Sequence, residues 1–376
     1  MFELFKIQKN HFLGIDFGTS AIKVVELSYR EQKINLENYG VIDLNSLDNS
    51  TKLSSFKQTL NESLGKLLVK MGIKATAAFV AVPGFSGLIT IIDLPSMSQE
   101  ELTKAIQFEA HKYIPSALDE IALSWEVIAG KVININSNLP SDLLAKLQPK
   151  KEAENKIEEK IKVLLVAAPK KDIEHYDRLV TGVGLEVNAI EIETFSIARA
   201  LVGTEKGTFL IVDIGSRATN IILVENGIIQ INRNIDAGGE EITSAIADAM
   251  KISRARAEIF KRSEKDILND SESAIIIPVL DLIVGELRRI MSAYREKNKT
   301  VKFEAVILSG GTARMKGMEE YFACLLGEKV QMGNPWRSIS IGNNEVVALT
   351  KDLGGSFTVV LGLALRGVED YKNKQK

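Results

Sequence analysis

From Phe12 to Leu27 the chain reads FLGIDFGTSAIKVVEL, an apolar strand ending in Asp16, a tight turn containing Gly18, and a second apolar strand. Slid along itself by the 197 positions that separate Asp16 from Asp213, this segment falls on FLIVDIGSRATNIILV, with Gly215 in the place of Gly18. The second strands are followed by the turns YREQK and Glu225-Asn226-Gly227, each leading into a third strand. Asn-Gly between apolar runs signals a hairpin because both residues tolerate positive φ. A duplicated β-meander therefore opens two α/β lobes.

Between the copies the pattern changes. A strand from Phe79 to Val82 precedes Pro83-Gly84, and Gly87 to Asp93 reads as the next strand. Ser98 and Glu101 form a capping box, followed by a helix with Leu102, Ala105, Ile106, Glu109 and Tyr113 that stops before Pro115. These segments make a small α+β insert. Residues 134–160, rich in Asn, Lys and Glu, bury little and are expected to form a mobile excursion. Order resumes with a strand from Lys162 to Ala168, a helix from Asp172 to Val183 ended by Gly184, a strand over 187–193 and a helix after Thr194. After the second meander, Gly238-Gly239 introduces a mainly helical stretch to Asn298. Leu280, Ile283, Leu287, Ile290, Met291 and Tyr294 recur there at helical spacing as a packing face. Ala305 to Thr312 reads as a buried strand ending in a third glycine turn, Ser309-Gly310-Gly311-Thr312, before the helix MEEYFACLL.

Composition narrows the classes. A chain of 376 residues, 45% hydrophobic and 26% charged, suits a globular protein of two or more lobes. A formal charge of -2 leaves no basic surplus for phosphate backbones, so nucleic acid is not an expected partner. The single cysteine, Cys324, has no internal disulfide partner, and the apolar run from Tyr321 to Leu326 predicts a buried thiol in a reducing compartment. The start, MFELFKIQKNHFLGID, lacks a small-residue cleavage site, so export is not expected. The stretch Ala274 to Leu287 contains Pro278 and Asp281 and falls short of the roughly 20 apolar residues of a spanning helix. The expected location is cytoplasmic, with no direct membrane anchor and any membrane association running through a partner.

The turns carry the chemistry. A glycine turn after a strand lets backbone N–H groups converge on an anion, because no Cβ blocks the approach. Two facing turns can hold a polyphosphate. An aspartate at the carboxyl end of each strand, Asp16 and Asp213, is placed to hold a magnesium ion through water. Lys23, on the second strand, can reach the same phosphates as a point charge. Glu191 and Glu193, on one face at the end of a strand over 187–193, are candidates for orienting water in hydrolysis, with hydrogen-bonded structural roles as the alternative.

Together, DFGTSAIK, DIGSRATN and LSGGTARMKG resemble the two phosphate motifs and the adenosine motif of the actin, heat-shock chaperone and sugar-kinase superfamily, over nearly the whole chain. Within it, DLPSMSQEELTKAIQFEAHKYIPSALDEIALSWEV, KVLLVAAPK and GLEVNAIEIETFSIARAL resemble the PilM family of type IV pilus assembly proteins, relatives of the cell-division protein FtsA. The resemblance implies an α/β actin-like fold, a duplicated ribonuclease H-like core in two nucleotide-binding lobes with an FtsA-type inserted α+β subdomain. Lobe one would comprise 1–82, the insert 83–170, then 171–205 and 351–376. Lobe two would comprise 206–237, a helical subdomain at 238–302, and 303–350.

The resemblance also implies ATP and Mg2+ as ligands. Gly18, Thr19, Ser20 and Lys23 would meet the phosphates, with Gly215 and Ser216 opposite, Asp16 and Asp213 at the metal, and Gly310, Gly311 and Thr312 at the adenosine. Glu258 and Lys261 match positions near ribose and adenine in FtsA-like relatives, and an i,i+3 ion pair accounts for them equally. The second turn departs from a glycine triplet. Arg217 and its neighbours stand where backbone would approach the γ-phosphate, which favours binding over fast hydrolysis. The implied role is a scaffold at the inner membrane that holds the N-terminal peptide of PilN between the first lobe and the insert, with ring formation or self-association open. A small-molecule kinase would need a further catalytic aspartate, and none stands out in the turns. An FtsA-like filament protein would carry an amphipathic helix, which RGVEDYKNKQK does not supply. Retention of the fold with vestigial turns is the remaining alternative.

Overall fold

A computed structural model describes residues 10–44, 53–114, 117–130, 160–269, 275–342 and 353–375. The chain divides into two compact units, 1–86 with 171–376, and 87–170. Segment 131–159, with nearly all of the expected excursion at 134–160, lies outside the described residues.

The larger unit is built on two five-stranded sheets of the same plan. In the first, β1 (His11–Phe17), β2 (Ala21–Arg30) and β3 (Lys33–Asp43) form an antiparallel meander. The strands β4 (Ala77–Val82) and β8 (Glu186–Ile192) extend it in parallel, in the order β3-β2-β1-β4-β8. In the second, β9 (Thr208–Ile214), β10 (Thr219–Glu225) and β11 (Ile228–Ile235) repeat the meander. There β12 (Phe303–Ser309) and β13 (Val330–Met332) add in parallel, in the order β11-β10-β9-β12-β13. The hairpins close as the sequence predicts, with φ of 52° and 85° at Asn226 and Gly227, and 52° and 61° at Glu31 and Gln32.

Central strands buried on both faces carry near-continuous apolar runs, and β9 is buried at every position. Helix α1 (Leu53–Met71) and helix α3 (Lys170–Thr181) pack through Leu60, Leu64, Leu68, Leu179 and Val180 with Leu13, Ile15 and Val80. On the second sheet, α5 (Gly239–Met250), α6 (Arg254–Lys261), α7 (Pro278–Lys297) and α8 (Met318–Leu326) join one cluster. All six residues of the expected α7 stripe, from Leu280 to Tyr294, are buried in it. Helix α4 (Glu193–Leu201) packs against α9 (Thr358–Asn373), which also lies on β1, β2 and β4. That packing needs Gly362, where a Cβ would stand 2.0 Å from the Ser196 carbonyl oxygen.

The smaller unit, described by itself, is a three-stranded antiparallel sheet of β5 (Leu88–Pro95), β7 (Lys160–Pro169) and β6 (Ile121–Ala129). Helix α2 (Gln99–Ala110) covers it with Leu102 and Ile106 against Ile92, Ile161 and Leu165. The capping box is formed, with the Ser98 amide donating to Glu101 Oε2 at 3.0 Å.

Three local expectations need correction. Helix α2 ends at Ala110, not just before Pro115, and Tyr113 sits in the following turn, where its amide and that of Ile114 both donate to the Ala110 carbonyl. A residue before proline disfavours the α conformation, so the helix winds down earlier. Helix α3 ends at Thr181 rather than Val183, though Gly184 at φ +81° does make the left-handed closure and Leu185 donates back to Val180. Cys324 is exposed, not buried. Helix α8 buries Met318 and Phe322, and a residue two positions from Phe322 points to the other side of the helix.

Candidate nucleotide site

The larger unit holds a cavity of about 940 Å³ lined by the ends of both meanders. Its first wall is the β1–β2 turn, Gly18 to Ser20, and its second is the β9–β10 turn, Gly215 to Ala218. The two turns have the same build. A Cβ at Gly18 would come within 2.9 Å of the Ala21 carbonyl oxygen, and a Cβ at Gly215 within 2.9 Å of the Ala218 carbonyl oxygen. Glycine is therefore required to fold each turn this tightly, and the Gly215 amide donates to Ala218 across it at 2.9 Å.

The third turn follows β12. Gly310 has φ +89°, and a Cβ there would stand 2.3 Å from the Ile214 carbonyl oxygen, so it too admits only glycine. Thr312 ties this turn to the second by donating from Oγ1 to the Gly215 carbonyl at 3.2 Å. Helix α6 brings both Glu258 and Lys261 to the cavity as an i,i+3 ion pair of 2.7 Å. The Lys261 ammonium also donates to the Gly239 carbonyl at 3.0 Å and to Thr243 Oγ1 at 2.9 Å. Burial holds the lysine below its usual range although Glu258 pulls the other way.

Three carboxylates line the cavity at the strand ends. Burial raises Asp16, more than Lys23 at 3.6 Å lowers it. Asp213 is pushed up to about 6 by burial, against a hydrogen bond from Ser309 and the Lys23 charge, with repulsion from Asp16 adding to the rise. Glu193, the first residue of α4, is pushed up to about 7. Burial dominates, Asp213 and Asp16 add to it, and the Gly84 amide and Asn220 oppose it. Its Oε1 accepts from the Gly84 amide at 2.7 Å and from Asn220 Nδ2 at 2.8 Å.

This donor set fits a divalent cation of a particular kind. Asp16 and Asp213 offer hard carboxylate oxygens whose charges disfavour each other, and the buried Asn220 Oδ1 has no hydrogen-bond partner among the described residues. No group of three or more His, Cys, Asp or Glu forms a ready-made cage among the described residues. Magnesium, which keeps several waters and takes one or two carboxylates together with substrate phosphate, matches such a pair.

Of the residues singled out from the sequence, Asp16, Gly18, Thr19, Ser20, Lys23, Glu193, Asp213, Gly215, Ser216, Glu258, Lys261, Gly310, Gly311 and Thr312 all line this one cavity. Glu191 does not. Strand β8 ends at Ile192, so Glu191 and Glu193 share no strand face at its end, and Glu191 turns into a buried ion cluster instead. Its Oε1 takes Arg199 at 2.6 Å and Ser196 at 2.5 Å, and its Oε2 takes Arg366 at 2.7 Å. The sequence reading passed over Asn220, Gly239 and Thr243, which also line the cavity, and the Gly84 amide that holds Glu193. The repeat itself marks Asn220, because the same shift that lays Asp16 on Asp213 lays Lys23 on Asn220.

Two sheets of one plan with strand-end aspartates and three glycine turns around a cavity define the actin-like ATPase fold. The chain belongs to the type IV pilus assembly protein PilM family, whose model matches residues 14–146 and 146–368. Among solved structures, the PilM-PilN type IV pilus biogenesis complex superposes with a TM-score of 0.73 at 23% identity, over 95% of this chain and 98% of that one. MreB 5 of Spiroplasma citri bound to AMPPNP superposes with a TM-score of 0.50 at 12% identity, over 97% of this chain and 98% of that one. The cell division protein FtsA of Bacillus subtilis (strain 168) is 21% identical over 357 residues, covering 86% of this chain and 78% of the relative. No helix among the described residues is long and apolar enough to cross a membrane.

Proposed function

We propose that this protein is an ATP-binding scaffold of a type IV pilus, or related secretion or competence, assembly complex at the inner membrane, and that it holds the N-terminal cytoplasmic peptide of PilN. The observation that carries the nucleotide part is the single cavity on which three glycine turns and two buried aspartates converge. Gly18, Thr19, Ser20 and Lys23 would bind the β- and γ-phosphates from one side, with Gly215 and Ser216 opposite. Gly310, Gly311 and Thr312 would flank the adenosine, with the Glu258–Lys261 pair on the α5–α6 side of the cavity. Asp16 and Asp213 would hold Mg2+, which when bound neutralises phosphate charge.

Nucleotide bound to both turns stabilises the closed arrangement of the two sheets by its differential affinity for that state. Shape rather than turnover is then the output. Glu193 is the residue suited to orient water, with a pKa pushed up to about 7 and an oxygen fixed by Gly84 and Asn220. The bulky second turn, Ser216-Arg217-Ala218, keeps turnover slow. The PilN part rests on membership in the PilM family and on likeness to a PilM-PilN complex. The distant FtsA relatives give the filament alternative less support.

A pull-down with a synthetic peptide of the PilN N-terminus, with and without Mg-ATP, tests the partner. Retention of the peptide that changes with nucleotide supports the scaffold, and absence of retention in both conditions contradicts it.

A further inference from the structure

We infer that Arg217 reads the terminal phosphate, so that the site prefers a nucleoside triphosphate over a diphosphate through this one side chain. The inference rests on the nucleotide reading above. Arg217 occupies the second turn at the position that Ser20 occupies in the first, four residues after the strand-end aspartate in each copy. Both turns close on the same geometry, with the Cβ of Gly18 or Gly215 barred by the carbonyl three residues on. Ser20 and Arg217 accordingly both line the cavity, from opposite walls.

The charge of Arg217 is uncommitted, whereas Lys23 pairs with Asp16 and both Lys261 and Arg262 pair with Glu258. Arg254, also on the cavity wall without an ion pair among the described residues, sits on α6 and not on a glycine turn. Among the described residues Arg217 has no hydrogen bond or ion pair. An exposed, unpaired guanidinium on the wall of this cavity, attached to the turn whose amides would meet the phosphates, has a rigid fork that matches two phosphate oxygens. The turn departs from a glycine triplet at this very point. The side chain that withholds backbone from the γ-phosphate supplies a charge to it in return, which favours retention of the triphosphate.

The test is a set of dissociation constants for ATP, ADP and AMP in magnesium buffer, measured by calorimetry on the full chain and on R217A and R217K. The wild type is expected to bind ATP more tightly than ADP by about tenfold, the worth of a charge-assisted contact. R217A should bring that ratio to near one while leaving the ADP and AMP constants within about twofold. R217K keeps the charge without the fork and should fall between. An unchanged ATP-to-ADP ratio in R217A overturns the role of Arg217 and leaves the nucleotide reading standing. Absence of binding of any of the three by the wild type overturns both.

Discussion

Lys23 and Asn220 occupy the same step of two duplicated meanders, each the antiparallel cross-strand partner of a strand-end aspartate, Asp16 for the lysine and Asp213 for the asparagine. The duplication is symmetric in backbone and asymmetric in charge. Asp16 has a cation at 3.6 Å, whereas the orphaned Asn220 Oδ1 and the amide that holds Glu193 stand beside Asp213. Exchanging the two roles is predicted to fail. K23N should weaken ATP binding by about tenfold or more, read by calorimetry, because among the described residues Lys23 is the cation paired with Asp16 and the phosphate side loses its point charge.

Glu193 gives a pH signature to the ligand-free protein. Its pKa is raised from 4.5 to about 7, so the folded state holds a proton that the unfolded state has released between those values. Stability from this group is therefore greatest below about pH 4.5 and falls as pH rises towards 7. E193Q keeps an acceptor for the Gly84 amide and removes the charge. The melting temperature of E193Q minus that of the wild type should become more positive from pH 5 to pH 8, measured without nucleotide. A difference that stays flat with pH would count against the buried, charge-crowded environment described for Glu193.

Glu191 should behave in the opposite sense and without effect on ligand. Burial alone would raise it, but the hydrogen bonds and charge of Arg199, with Ser196 and Arg366, bring it below its usual 4.5. Its stabilisation is present above pH 4.5 and is lost as pH falls below. E191Q leaves two arginines without their shared carboxylate, at a cost of about 3 kcal/mol near neutral pH. The gap from wild type should narrow below pH 4.5, and the nucleotide-induced rise in melting temperature should persist. Loss of that rise in E191Q would return Glu191 to the site.

Gly362 tests the seat of α9 on α4. A methyl group there would lie 2.0 Å from backbone, which cannot rotate out of the way, so G362A is expected to lower the melting temperature by more than 5 °C, the scale of a few kcal/mol in a chain of this size.

The meanders, the hairpin turns, the α7 stripe and every candidate site residue but Glu191 were legible because each follows from local patterning, from the repeat or from the motifs. Asp16 and Asp213 announce themselves as a pair that neither would make alone. What the sequence concealed depends on where strands and helices stop. One residue decided whether Glu193 ended β8 or began α4, and with it whether Glu191 joined the cavity or the Arg199–Arg366 cluster. Thr243 and the Gly84 amide reach the site through tertiary contacts from segments with no motif. Cys324 was misplaced because an apolar stretch does not say which side of its helix faces the core.

The most direct test of the account is the melting temperature of the purified full chain in magnesium buffer with and without ATP, beside D16A and D213A. Binding at a ligand concentration of 100 times Kd is worth about 2.7 kcal/mol, a rise of a few degrees. The account predicts that rise for the wild type and its loss in both variants. A wild type that does not respond to ATP, or variants that respond as the wild type does, would contradict it.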